Sequence, residues 1–209
     1  MAKRDYPHNG YPSVTQVLDV LRKIGLEFWF KVNTLDFITK ASEKGKLIGT
    51  QIHEAIEAHI EEREVKVQTQ YPDEVMNALK SFMLFKKEHP EFKLQKSELA
   101  LTSELYHYNG TLDCSGSKDD IPIILDWKSG EKKKEDKPKV FPEYKYQVSA
   151  YVKAYNEIKK SNIEKAAIVV FAKDGIAYAL EEMEKQEIDD CFNEVFLSAL
   201  KIINYQRRK

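Results

Sequence analysis

The chain has 209 residues, with 33 Lys and Arg against 34 Asp and Glu, a formal net charge of −1 and a hydrophobic share of 42%. That share excludes wholesale disorder, and a chain this long buries about 70% of its unfolded surface without staples. The balanced charge excludes a general polyanion binder, so any nucleic-acid surface must be a local patch. Cys114 and Cys191 are too few for a disulfide framework, a four-thiolate zinc site or a four-thiolate iron–sulfur cluster. The opening MAKRDYPHNG lacks the apolar stretch of a secretory signal, and the longest unbroken apolar run, Ala166 to Ala172, is far short of a membrane span. The expectation is a soluble cytoplasmic protein with no membrane segment. It reads as one domain over 1–209, a mainly helical part at 1–90 and a sheet core with flanking helices at 91–209.

In chain order, Ser13 follows Pro12 and caps a helix carrying Val14, Val17, Leu18 and Leu21, which Gly25 ends. Residues 27–40, with Phe28, Trp29, Phe30, Leu35, Phe37 and Ile38, form one helix or two short ones. Residues 46–63 form a helix with Leu47, Ile52, Ile56 and Ile60 on one stripe. Residues 72–89 form another, with Val75, Leu79, Phe82 and Met83, stopped by Pro90. The period then changes: 93–108 and 109–117 lean to strand, and 121–127 is a compact apolar strand. A charged loop at 131–139 leads to a helix at 143–159 and a buried strand at 166–172. A turn at Asp174-Gly175 opens a short strand at 176–180, and 185–206 is a closing helix. This order predicts a mixed α/β fold behind a helical N-terminal part.

The informative stretch is Gly110 to Gly130, GTLDCSGSKDDIPIILDWKSG. An antiparallel hairpin turning at Asp119-Asp120 pairs residues whose numbers sum to about 239, which sets Asp113 opposite Asp126. Alternation puts both carboxylates and Lys128 on one face, and Leu112, Cys114, Leu125 and Trp127 on the other. Directly opposed carboxylates repel. A divalent cation between them reverses that sign, and carboxylate oxygens suit Mg²⁺ or Mn²⁺. A lysine two residues after a ligand adds a second cation beside phosphoryl oxygens, which equips the face for phosphodiester hydrolysis. The competing reading is two exposed polar positions on a one-sided sheet.

His53, on the 46–63 helix, reads as a ligand or as a surface residue. Gln147 and Tyr151, at i and i+4, share one face of the 143–159 helix, a spacing that packing also explains. Lys132, Lys133, Lys134, Lys137 and Lys139, interspersed with Glu131, Glu135 and Asp136, suit DNA phosphates by their position or form a solvated loop. Phosphate neutralisation there would make binding fall steeply with salt. Phe141, Tyr144 and Tyr146 suit stacking on single-stranded bases or burial of their helix. Arg207, Arg208 and Lys209 read as a frayed basic helix end, and His8, His59, His89 and His107 as surface residues.

Taken in order, His53 in GTQIH, Glu98 in KSELAL, Gly110 to Asp113 in GTLD, Asp126 to Lys128 in DWK and Gln147 to Tyr151 in QVSAY resemble the pattern of the PD-(D/E)XK nuclease superfamily. Within it the chain is similar to the RecB-like exonuclease branch. The opening YPSVTQVL, and GTLDC followed by LDWKSGEKKK, look like phage-type and mitochondrial genome-maintenance-type exonucleases. The resemblance covers residues 11–155. It implies a restriction-endonuclease-like core, a central mixed β-sheet flanked by helices. It implies a Mg²⁺- or Mn²⁺-dependent DNA exonuclease of recombination, repair or phage DNA processing, leaving 5′-phosphate and 3′-hydroxyl ends. By the same resemblance, His53, Asp113, Asp126 and the Trp127 backbone carbonyl would be metal ligands. Lys128 would orient or deprotonate the attacking water and stabilise the pentacovalent phosphate. Gln147 and Tyr151 would brace the site and contact the DNA backbone. Glu98 would be the strand glutamate, with Glu104 competing on the same segment. Four-cysteine relatives carry an iron–sulfur cluster, a subfamily that two cysteines exclude. The implied partners are DNA, single-stranded or with a free end, and a recombinase, helicase or single-strand-binding protein. The alternative, from another class, is a non-catalytic DNA-binding or assembly module of a helicase–nuclease or recombination complex. A third reading, a metallohydrolase of smaller phosphate esters, finds no dedicated pocket in the sequence.

Overall fold

Ser13 Oγ accepts from the Gln16 backbone N–H at 3.2 Å while Gln16 Oε1 accepts from the Ser13 N–H at 3.0 Å. This reciprocal cap starts α1 (Val14–Leu18). The computed structural model describes residues 10–21, 27, 30–64, 69–132 and 136–208. The expectations for His8, Gly25, Phe28, Trp29, Lys133, Lys134, Glu135 and Lys209 lie outside them. Helix α2 (Leu35–Ile60) is capped by Thr34 and joins the two helices expected at 27–40 and 46–63. Gly45 and Gly49 lower its propensity by about 1 kcal/mol each, but burial of Ile48, Ile52, Ala55 and Ile56 holds the helix together. Helix α3 (Pro72–Glu88) has Pro72 in its first turn with Asp73 and Glu74, and Lys86 and Lys87 in its last. This arrangement suits both the missing N–H and the helix dipole.

Three antiparallel strands follow, β1 (Phe92–Ser103), β2 (Tyr108–Lys118) and β3 (Ile121–Gly130). Helix α4 (Pro142–Lys159) then crosses to β4 (Ala166–Ala172), which pairs parallel with β3, and β5 (Tyr178–Met183) closes an edge antiparallel to β4. The order is β1-β2-β3-β4-β5, a five-stranded mixed sheet. The end of the chain is helical without a break: α5 (Lys185–Asp190), a π-helical stretch at Cys191–Phe196, and α6 (Leu197–Gln206). This is the mixed α/β architecture expected, a central mixed sheet flanked by helices behind a helical N-terminal part. Among the described residues, no helix is long and apolar enough to cross a membrane.

Both faces of the sheet are covered. Helices α2 and α3 press Ile52, Ile56, Phe82 and Phe85 against Cys114, Leu125, Trp127 and Phe171. Helices α1, α4 and the C-terminal helices press Val14, Val148, Tyr151 and Phe196 against Tyr108, Leu112, Ile124 and Ile168. Strand β4 therefore reads as a continuous apolar run, as a strand buried on both sides must. Strand β5 begins two residues later than expected and runs to Met183, because the Ser81 hydroxyl accepts from Ala177 N–H and holds the preceding turn.

The β2–β3 register is the one expected, from Cys114 opposite Leu125 to Lys118 opposite Ile121. Asp119 and Asp120 form the turn with φ of 49° and 65°, both left-handed, as a two-residue hairpin of this hand requires. Leu112 departs from expectation: it packs with Tyr108 and Val14, on the opposite side from Cys114, Leu125 and Trp127. Residues two apart in a regular strand share a face, so β2 turns over at Asp113. Strand β1 turns over at the same level, where Glu98 takes φ of 49° between Ser97, opposite Cys114, and Leu99, opposite Leu112. The two carboxylates lie on this crease.

Two tertiary ties fix the ends of these elements. Arg207 donates to Gly10 O at 3.2 Å and to Gln16 Oε1 at 3.0 Å, so the basic end is anchored to α1 and is not frayed there. Glu157 of α4 accepts from Ser103 Oγ at 2.6 Å and from the N–H groups of Glu104 and Leu105 at 2.8 and 2.9 Å. Glu157→Ala leaves these donors at the β1–β2 turn without their charged acceptor. It is expected to lower stability by about 1–3 kcal/mol, measured by urea denaturation, and an unchanged midpoint would show that the turn holds itself.

Candidate active site

Burial of Ile52 and Ile56 orients α2 so that His53, on the edge of the same stripe, reaches the crease in β1 and β2. His53 Nδ1 lies 3.4 Å from Asp113 Oδ1 and 3.9 Å from Glu98 Oε1. The ligand atoms of His53, Glu98 and Asp113 all fall within 4.8 Å of one another. The other oxygen of Asp113 accepts from the Trp127 backbone N–H at 2.8 Å, in the position where the β2–β3 ladder stops.

One strand further in, Asp126 is fully buried, and its Oδ2 sits 2.5 Å from Lys128 Nζ. Lys128 Nζ also donates to the Trp127 carbonyl at 3.3 Å and lies 5.5 Å from the centre of the Tyr144 ring. From α4, Gln147 Nε2 donates to the Tyr151 hydroxyl at 2.7 Å. A cavity of about 210 Å³ is lined by His53, Glu98, Asp113, Lys128, Gln147 and Tyr151, together with the cap residue Ser13 and Thr15 of α1. A larger hollow of about 460 Å³ between α1 and α6 holds Asp19 and Arg207. Among the described residues, the candidate metal-binding group His53, Glu98 and Asp113 lines the smaller cavity and not this one.

The electrostatics follow from burial and crowding. Burial lowers the His53 pKa, but the Asp113 and Glu98 carboxylates outweigh it and raise the group to about 10. Burial raises the Asp113 carboxyl, yet His53, Lys128 and the Trp127 N–H bring it down to about 2. Asp126 goes the other way, pushed up to about 7 by burial, with Lys128 opposing and Asp113 adding to the rise. Lys128 is lowered by burial and raised by Asp126 and Asp113, which win, so it carries its charge. Two cations thus hold three carboxylates together.

The donor set suits a hard divalent ion. It offers carboxylate oxygens and one imidazole at convergent positions. Asp126 Oδ1 is buried and has no hydrogen-bond partner among the described residues, which is the sort of orphaned acceptor an ion satisfies.

Of the residues singled out from the sequence, His53, Glu98, Asp113, Lys128, Gln147 and Tyr151 line one cavity. Asp126 lies outside the three-donor group and is engaged by Lys128. Its complete burial overturns the reading of Asp113 and Asp126 as exposed positions on a one-sided sheet. Glu104 is at the exposed β1–β2 turn, accepting from the Tyr11 hydroxyl at 3.0 Å, so the glutamate at the cluster is Glu98. The Lys132 backbone N–H donates to Asp174 Oδ1, tying the charged loop to the β4–β5 turn. Sequence reasoning missed Ser13 and Thr15 as lining residues. Ser13 is legible as a cap, but its bridge to Asn109 beside the site is tertiary.

No family model and no curated protein matches the chain. Among solved structures it is similar to SSO0001, at 15% identity and a TM-score of 0.41 over 65% of this chain. The match spans 60% of that relative's length. It is also similar to LHK-Exo, an alkaline exonuclease from Laribacter hongkongensis, described too in complex with dAMP. There the identity is 12% and the TM-score 0.40, over 95% of this chain and 92% of that one.

Proposed function

We propose that this chain is a divalent-metal-dependent deoxyribonuclease that shortens DNA from an end by hydrolysing phosphodiester bonds. The observation that carries the reading is the convergence of His53, Glu98 and Asp113 within 4.8 Å, beside the Asp126–Lys128 pair in one polar cavity. His53, Glu98 and Asp113 would hold the ion, with Asp126 and the Trp127 carbonyl behind them. Bound Mg²⁺ or Mn²⁺ would lower the pKa of a water and offset charge on the phosphoryl oxygens.

Lys128, anchored by Asp126, places its ammonium at the cavity wall, where it donates to a phosphoryl oxygen as negative charge develops there. The Gln147–Tyr151 bond braces the α4 side of the cavity and would present polar groups to the DNA backbone. The resemblance to the RecB-like exonuclease branch, and not the residues by themselves, favours an exonuclease over an endonuclease. It extends the reading to recombination, repair or phage DNA processing, with a recombinase, helicase or single-strand-binding partner. Lys132, Lys133 and Lys134 would add phosphate contacts, giving binding a steep salt dependence.

The test is digestion of end-labelled linear DNA, single- and double-stranded, with Mg²⁺, Mn²⁺ or EDTA. Metal-dependent release of one label before the other is expected, and this also reads the polarity. Retained DNA binding with no turnover in either metal would replace this reading with the non-catalytic assembly module.

A further inference from the structure

Phe141 is 38% exposed. It directly precedes Pro142, which confines it to extended backbone, and its φ of −98° and ψ of 146° are of that kind. Its ring meets the Tyr144 ring edge-on, at 5.6 Å and 87°. The Tyr144 ring in turn carries the Lys128 ammonium 5.5 Å from its centre. Lys139 Nζ stands 5.4 Å from the centre of the Phe141 ring. Phe141 is thus one aromatic ring away from the lysine of the cavity and has a second cation beside it. Phenylalanine offers no donor or acceptor for reading a base, only a π-face, and a π-face next to a cation is what single-stranded nucleic acid binds without regard to sequence.

We propose that Phe141 and Lys139 form a subsite for the nucleotide next to the scissile phosphate, its base stacked on Phe141 and its phosphate at Lys139. The inference rests on the nuclease reading of the cavity. Bases in a duplex are already stacked on one another, so this subsite takes an unpaired nucleotide, from a single strand or a frayed end.

The test is fluorescence anisotropy in Ca²⁺ with labelled oligothymidylate and with an equally long oligomer of abasic units. Phe141→Ala is expected to weaken oligothymidylate binding about tenfold and to leave abasic binding unchanged, and Phe141→Trp to restore it. Phe141→Leu keeps the apolar volume and should lose base binding like the alanine variant at an unchanged melting temperature. Lys139→Ala should weaken both oligomers and reduce the salt slope. Equal losses on the two oligomers with Phe141→Ala, or no binding of either by the wild-type chain, would overturn the subsite. Turnover in Mg²⁺ is read separately. A base-dependent Phe141 effect without turnover would keep base stacking on Phe141 but remove the nuclease reading and with it the scissile phosphate, and turnover without that effect would keep the nuclease reading and overturn the subsite.

Discussion

Lys128→Ala is expected to lower phosphodiester hydrolysis about 10²–10³-fold with the fold intact, the usual loss when one preorganised charge donor leaves a site. Lys128 is the cation on the cavity wall, and its ammonium is fixed by a buried carboxylate at 2.5 Å. Single-turnover digestion checks this, and full activity in the variant would remove Lys128 from the reaction. The same variant has a pH signature. Burial pushes the Asp126 carboxyl up to about 7 even with Lys128 opposing, so loss of the ammonium moves it higher still. In the unfolded chain the same group ionises near about 3.9. A group whose folded pKa is raised contributes stability below its unfolded pKa, and that contribution is lost as pH rises through the folded value. Without metal, both chains lose this contribution alike up to about pH 7, so the stability deficit of the variant relative to the wild type should grow only as pH rises above about 7. Melting temperatures in EDTA at about pH 5 and about pH 8 measure it, and an equal deficit at both would show that Asp126 does not depend on Lys128.

Gly110→Ala is expected to cost about 1–3 kcal/mol of stability, the range for overpacking a close-packed interior. A Cβ at this position would lie 2.7 Å from Tyr151 Cε1 and 3.2 Å from Val14 Cγ2, and both neighbours are buried. The glycine of GTLD is thus the place where β2 passes beneath α4 and α1 with no room for a side chain. For a chain of this size the loss corresponds to about 2–4 °C per kcal/mol. Because Tyr151 must move, its bond to Gln147 on the cavity wall is disturbed too, and turnover should fall with stability. The double variant Gly110→Ala with Tyr151→Ala removes the ring the new methyl meets, so the two effects should be less than additive. Strict additivity would mean that Tyr151 does not set the glycine requirement.

What the residues alone determined about this protein is what depends on local spacing. The period of 3.6 marks α3, α4 and the closing helix, and the apolar run of β4 marks a strand buried on both sides. The two-residue turn at Asp119-Asp120 sets the register from Lys118 opposite Ile121 to Cys114 opposite Leu125, and the ladder stops there, one step short of Asp113 and Asp126. What only the tertiary structure decided lies where local rules break or where burial sets the energy. Glycine propensity argues for a break near Gly45 and Gly49, yet core packing of Ile48 and Ile52 makes α2 continuous. Alternation cannot foresee the crease at Glu98 and Asp113, because the reversal belongs to two paired strands together. The choice of Glu98 over Glu104 depends on which of them faces His53. The charge states at the site depend on burial and on partners distant in sequence, which is why two aspartates on adjacent strands are driven in opposite directions, Asp113 down by His53 and Lys128, Asp126 up by loss of solvent.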